Sequence, residues 1–157
     1  MKTIKDWDDN MQKDIIEIEN IINKDIDKLV RDYNIILIYI FGSYAKGTNI
    51  QSSDLDIAVY LKGQPDGLVK LDILYELVGI LNRDDIDLVI LNNVDEILKF
   101  QVIKYGKLIY MENLYSKVIF ESRVMSEYMD KEHFRNIQSE YSHQKFLSLT
   151  TKRHQEL

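Results

Sequence analysis

Apolar residues recur at two periods along this 157-residue chain. Between residues 8 and 32, Met11, Ile15, Ile18, Ile22, Ile26 and Leu29 are three or four apart with Asp, Glu and Lys between them. That spacing predicts an amphipathic helix with one face on a core. Asp8, Asp9 or Asn10 is the expected cap for its start. Asn34 breaks the pattern. The run Ile35–Phe41 is short, β-branched and aromatic, and Gly42-Ser43 closes it abruptly, which predicts a buried strand. Residues 54–61 alternate at first and predict a second strand.

The loop between them holds one helical turn at residues 43–46, ended by Gly47. KGQPDG, residues 62–67, is a turn. Leu68, Leu71, Leu74, Leu77, Val78 and Leu81 then mark a helix returning to the sheet. Residues 84–91 predict a third strand, with Ile86, Leu88 and Ile90 on one face and Asp85, Asp87, Val89 and Leu91 on the other. After the Asn92-Asn93 break, residues 94–105 predict a helix ending at Gly106, a C′ glycine. Lys107–Met111 is a short strand at an edge. A helix over 113–129 is expected to bury Tyr115, Val118, Ile119, Met125 and Tyr128, and a more polar one follows over 133–149, with a loose tail after it. No repeat or linker divides the chain, so a single domain over 1–157 is expected, its core at about 35–111. The class is α/β in the α+β sense: a small mixed sheet flanked by helices, with extra C-terminal helices.

In a strand, Asp54 and Asp56 point the same way while Leu55 and Ile57 point the other. Two carboxylates side by side at the start of a buried strand need compensation. Mg²⁺ suits them, because it takes oxygen ligands and keeps positions open for substrate phosphates. Gly42-Ser43 supplies the complementary half. Glycine lets backbone approach a ligand closely, and N–H groups at a strand-to-helix turn favour an anion. Ser43 also suits a helix N-cap. Together the two elements make a nucleoside-triphosphate site.

Gly42-Ser43, ten residues, then Asp54-Leu55-Asp56 resembles the signature of the DNA polymerase β-type nucleotidyltransferase superfamily. Within it, the chain is most similar to the minimal nucleotidyltransferases, the MntA-type antitoxins of HEPN/MNT toxin–antitoxin systems. The likeness covers about residues 35–130, including IDLVILNNVDEILKFQVIKYGKLIYMENLYSKVIFESRVMSEYMD. The resemblance implies a polymerase β-like fold, Mg²⁺ on Asp54 and Asp56, and Asp87 as the third catalytic and metal-binding carboxylate, with Asp85 its rival. It implies Gly42 and Ser43 on the β- and γ-phosphates of ATP. It further implies AMP transfer onto a tyrosine of a cognate HEPN RNase toxin, which is thereby neutralised. The toxins carry an Arg, four to six residues, His, one residue, Tyr motif. Here Arg135 and His143 are too far apart and Lys145 stands at the tyrosine position, so the chain resembles the antitoxin.

Composition narrows the picture further. A net charge of −6 argues against direct nucleic-acid binding, which needs a basic footprint. There is no cysteine, which excludes disulfides, thiolate metal sites and cysteine nucleophiles. No run approaches the length of a membrane span, and the acidic N-terminus is unlike a signal peptide, so a cytoplasmic protein with no membrane partner is expected. His133, His143 and His154 lack catalytic spacing and are expected at the surface. Lys46 is expected to be solvated. Exposed tyrosines such as Tyr105 or Tyr110 are minor candidates for self-modification. Two alternatives stay open: transfer to a small molecule such as an aminoglycoside, and a non-catalytic antitoxin acting by binding alone.

Overall fold

The apolar run closed by Gly42 forms β1 (Ile35–Phe41), which lies inside a four-stranded sheet. In this computed structural model the backbone is described for residues 4–50 and 53–153, and side chains for 15–50 and 53–143. β1 is antiparallel to β2 (Leu55–Leu61) on one side and to β4 (Lys107–Met111) on the other. β2 pairs in parallel with β3 (Ile86–Ile90), so the sheet is mixed, with order β3-β2-β1-β4. β4 is an edge strand, as its short, mixed sequence predicts.

The two central strands are apolar on both sides because both faces of the sheet are covered. α1 (Ile4–Tyr33) and α3 (Val69–Leu81) pack on one face, where Ile22, Ile26 and Leu29 meet Ile38, Ile40, Ile57, Val59, Ile73 and Leu77. α4 (Glu96–Tyr105) and α5 (Leu114–Arg153) pack on the other, where Leu37, Tyr39 and Ala58 meet Val102, Phe120 and Val124. α2 (Gly42–Lys46) is the single turn after β1.

Polar groups fix α5 to the body. Tyr39 donates its hydroxyl to Glu121 Oε1 at 2.8 Å, and Lys117 Nζ reaches Glu121 Oε2 at 2.8 Å. Burial, then Glu121, holds the Tyr39 phenol well above the ordinary tyrosine range. Glu96, buried at the α4–α5 seam, receives Lys131 at 2.8 Å and Arg135 at 3.4 Å. The Phe100 and Tyr128 rings stack at 3.9 Å.

Several expected boundaries and faces are corrected. α1 begins by Ile4, so Asp8, Asp9 and Asn10 lie inside the helix and do not cap it; the side chain of Met11 is outside the described residues. β2 starts at Leu55 and β3 at Ile86, which leaves Asp54 and Asp85 just before their strands. A 3₁₀ turn over Leu91–Asn93 ends β3. In α3 the buried line is Ile73, Leu77 and Leu81, while Leu68 and Leu71 are exposed. Both lines have helical spacing, and the sheet selects one of them.

Gly106 has φ −75°, an extended conformation and not a left-handed one. Its reason is space. A β-carbon there would collide with the Val102 carbonyl oxygen and sit 3.1 Å from that of Ile40. The two expected C-terminal helices are one. Residues 130–132, Asp-Lys-Glu, contain neither Gly nor Pro, so nothing interrupts the backbone hydrogen bonds. Phe120 and Val124 are its buried residues, whereas Tyr115, Val118, Ile119 and Met125 are exposed. His133 and His143 are exposed as expected. His154 and the residues after it lie outside the described residues. Among the described residues, no helix is long and apolar enough to cross a membrane.

Candidate active site

The register of the sheet sets the site. Phe41, the last residue of β1, stands opposite Asp56 of β2, and Asp56 stands beside Asp87 of β3. Strand alternation places Asp56 on the same face as Ala58, and Asp87 on the same face as Val89 and Leu91, which pack towards α4 and α5. Both carboxylates therefore sit at one rim of the sheet and face one side. Asp54 precedes β2 and is exposed; Asp56 is half-buried.

Gly42 closes this rim from the β1 side. Its φ of +66° is left-handed, where glycine is favoured. A β-carbon on Gly42 would overlap Asp56 Oδ2, so the backbone turn lies directly on the carboxylate. Phe41 holds the N-cap position of α2 and no side chain caps it. Ser43 thus lies in the first turn and is not the N-cap expected from the sequence. First-turn N–H groups have no partner within a helix, so those of α2 are open to a ligand. Gly47, at φ +65°, ends the turn by donating to the Tyr44 carbonyl at 3.2 Å.

Asp85 and Asp87 differ in their surroundings. Arg83 donates Nε to Asp85 Oδ1 at 2.6 Å and pairs its Nη2 with Oδ2 of the same carboxylate. That hydrogen bonding holds the Asp85 carboxyl below the usual carboxylate range. Asp85 is thus engaged by a cation, whereas Asp87 is aligned with Asp56.

Arg83 Nη2 also donates to the Tyr44 hydroxyl at 2.9 Å, and the Asp85 carbonyl accepts from Leu55 N at 2.8 Å. Arg83 consequently ties α2, which carries Ser43, to the backbone between Asp54 and Asp56. Sequence reasoning missed Arg83 and Tyr44. Their partners are 39 residues apart, and no local spacing signals such a pairing. Lys46, to which the sequence assigned nothing, extends over the Tyr105 ring at 5.9 Å from its centroid.

The electrostatics are those of an uncompensated acidic rim. Burial first, then Asp87, then Asp54, raises the Asp56 carboxyl above its ordinary value. None of the ion pairs among the described residues involves Asp54, Asp56 or Asp87. The donors are oxygens only, and a hard divalent cation fits that chemistry. Among the described residues no group of three or more acidic or histidine side chains is placed to hold a metal ion by itself. A cation here would complete its shell with phosphate and water oxygens, the habit of Mg²⁺ at triphosphate sites.

Residues 23–114, which contain the turn, Asp54, Asp56 and Asp87, match the model of the polymerase beta nucleotidyltransferase family. The chain belongs to that family. Among nucleotidyltransferase relatives, the protein adenylyltransferase MntA of Shewanella oneidensis is 39% identical over 84 residues. That stretch is 52% of this chain and 60% of that protein, so the chain matches less than two thirds of this relative's length. A crystal structure described as a toxin–antitoxin with AMP-PNP is 31% identical, with a TM-score of 0.63, over 78% of this chain and 95% of the other. A structure of a tri-AMPylated Shewanella oneidensis HEPN toxin in complex with MNT antitoxin gives 27% identity and a TM-score of 0.60, over 78% and 96% of the two chains. The mixed sheet with helices on both faces is the polymerase β-like nucleotidyltransferase fold.

Proposed function

We propose that this chain is a single-domain, Mg²⁺-dependent protein adenylyltransferase, which moves AMP from ATP onto a tyrosine of a HEPN-type toxin and so acts as its antitoxin in the cytoplasm. The observation that carries the reading is the Gly42 turn packed on Asp56, with Asp87 aligned beside it. The similarity to MntA and to a toxin–antitoxin with AMP-PNP supports the donor and the class of partner.

In this reading Gly42 and Ser43 hold the β- and γ-phosphates through backbone N–H groups and the Ser43 hydroxyl. Asp54, Asp56 and Asp87 hold Mg²⁺. When bound, the ions neutralise phosphate charge and keep attacking and leaving oxygens in line. Arg83 and Tyr44 keep the phosphate turn in register with the carboxylates. The acceptor oxygen bonds to the α-phosphorus, the bond from that phosphorus to the bridging oxygen breaks, and pyrophosphate leaves. The proton of the acceptor hydroxyl, whose ordinary pKa is about 10, passes to the carboxylate at Asp87.

Purified chain, its candidate toxin, Mg²⁺ and each nucleoside triphosphate in turn would be combined, and intact masses of both proteins measured. A nucleotidyl-sized gain on the toxin, greatest with ATP and absent with Asp54→Asn/Asp56→Asn protein, is expected. An unmodified toxin that the double variant still neutralises would establish a binding antitoxin and overturn transfer.

A further inference from the structure

α5 carries apolar surface on the side away from the body. At 100° per residue, Phe120, Val124, Tyr128, Lys131 and Arg135 share the face that packs on or reaches the sheet and α4. Tyr115, Ile119, Ser122, Ser126, Met129, His133 and Ile137 share the opposite face, with Tyr141 at its margin. Tyr115, Ile119, Met129, Ile137 and Tyr141 are each half to three-quarters exposed. The stripe is about 40 Å long at the rise of an α-helix. Apolar surface of this extent is comparable to the largest patch of an ordinary monomer, which is often an interaction site.

We infer that this stripe is the interface of a homodimer, formed by α5 packing antiparallel against α5 of a second copy. Three features select that occupant. First, the pattern is mirrored: Tyr, three residues, Ile at 115–119 is answered by Ile, three residues, Tyr at 137–141. A two-fold axis near Glu127 and Tyr128 therefore sets Tyr115 against Tyr141 of the second copy and Ile119 against Ile137, as an isologous contact requires. Second, small Ser126 and Ser122 fall opposite Met129 and His133 of the second copy, so large side chains meet small ones across the axis. Third, the five large side chains expose on the order of 500 Å² per chain, and two copies cover about 1,000 Å², the lower range of a specific interface.

The natural absence of cysteine makes cross-linking a clean test. Sedimentation equilibrium at tens of micromolar is expected to give twice the chain mass. Ser126→Cys protein, with its sulfur near the axis, is expected to form a disulfide-linked dimer on mild oxidation. Tyr115→Cys and Tyr141→Cys proteins are expected to cross-link when mixed, but not each with itself. Ile119→Glu/Ile137→Glu protein is expected to be monomeric with unchanged helix content, since both positions face solvent within one chain. A monomer at every concentration overturns the inference, as does self-cross-linking of Tyr115→Cys, which would mean parallel helices. Cysteine protection seen only when the toxin is added would assign the stripe to that partner and overturn it too.

Discussion

The α-carbon of Gly42 lies so close over Asp56 that a β-carbon would come within 2.0 Å of its carboxylate oxygen. Gly42→Ala meets two penalties there, the overlap and a φ of +66°. The expected result is a stability loss of about 2 kcal/mol, or roughly 4–8 °C in Tm, measured by calorimetry. Nucleotide transfer, followed by mass spectrometry at a temperature where the variant is folded, is expected to be lost as well, because Asp56 must move to make room.

Asp87 and Asp85 are two residues apart and are expected to behave oppositely. Asp87→Asn removes the carboxylate aligned with Asp56, and transfer is expected to fall by about 10²-fold or more with Tm little changed. Asp85→Asn leaves Arg83 without its partner carboxylate and is expected to lower Tm while retaining most of the transfer rate. If the rate collapsed with Asp85→Asn and survived Asp87→Asn, the assignment of the third carboxylate would be reversed.

Asp56 and Asp85 give opposite pH dependence in metal-free buffer. Asp56 is raised above its unfolded value by burial, by Asp87 and by Asp54. Its contribution is most favourable below the unfolded pKa of about 3.9 and is lost as pH rises through the folded value. Asp56→Asn is therefore expected to raise Tm at neutral pH, with the gain shrinking as pH falls towards 4. Asp85 is lowered by Arg83, so its stabilisation is present above the unfolded pKa and lost as pH falls through the folded value. Asp85→Asn is expected to destabilise at neutral pH and to match the parent protein in strong acid. Thermal melts across a pH series check both signs.

At Gly106 the conformation is ordinary and the space is not. Gly106→Ala forces a methyl group against the Val102 carbonyl and close to that of Ile40, which joins the end of α4 to β1. Overpacking against backbone is expected to lower stability by about 2 kcal/mol, seen as a shifted denaturant midpoint with unchanged slope. A neutral result would mean that the α4–β4 junction yields easily.

The elements that carry the candidate site are legible in the sequence alone. The β-branched run to Phe41, the Gly42-Ser43 turn and the Asp54-Leu55-Asp56 opening depend on neighbours in sequence, so pattern alone places them. Arg83 and Tyr44 were not legible, because their meaning comes from a hydrogen bond across the fold. Nor could the chain near 130 show that one helix continues, since a polar stretch without Gly or Pro is compatible with a helix or a gap.

By itself, then, the sequence determined the strands, the turn chemistry at Gly42 and the pairing of Asp54 with Asp56, because propensity and period act over a few residues. Only the tertiary structure decided which helix faces are buried and which aspartate stands by Asp56. Leu71 and Ile73, or Ile119 and Phe120, are nearly equal in hydrophobicity, and packing against the sheet chooses between them. Asp85 and Asp87 have the same side chain; Arg83 takes one, and the parallel register of β2 and β3 sets the other beside Asp56.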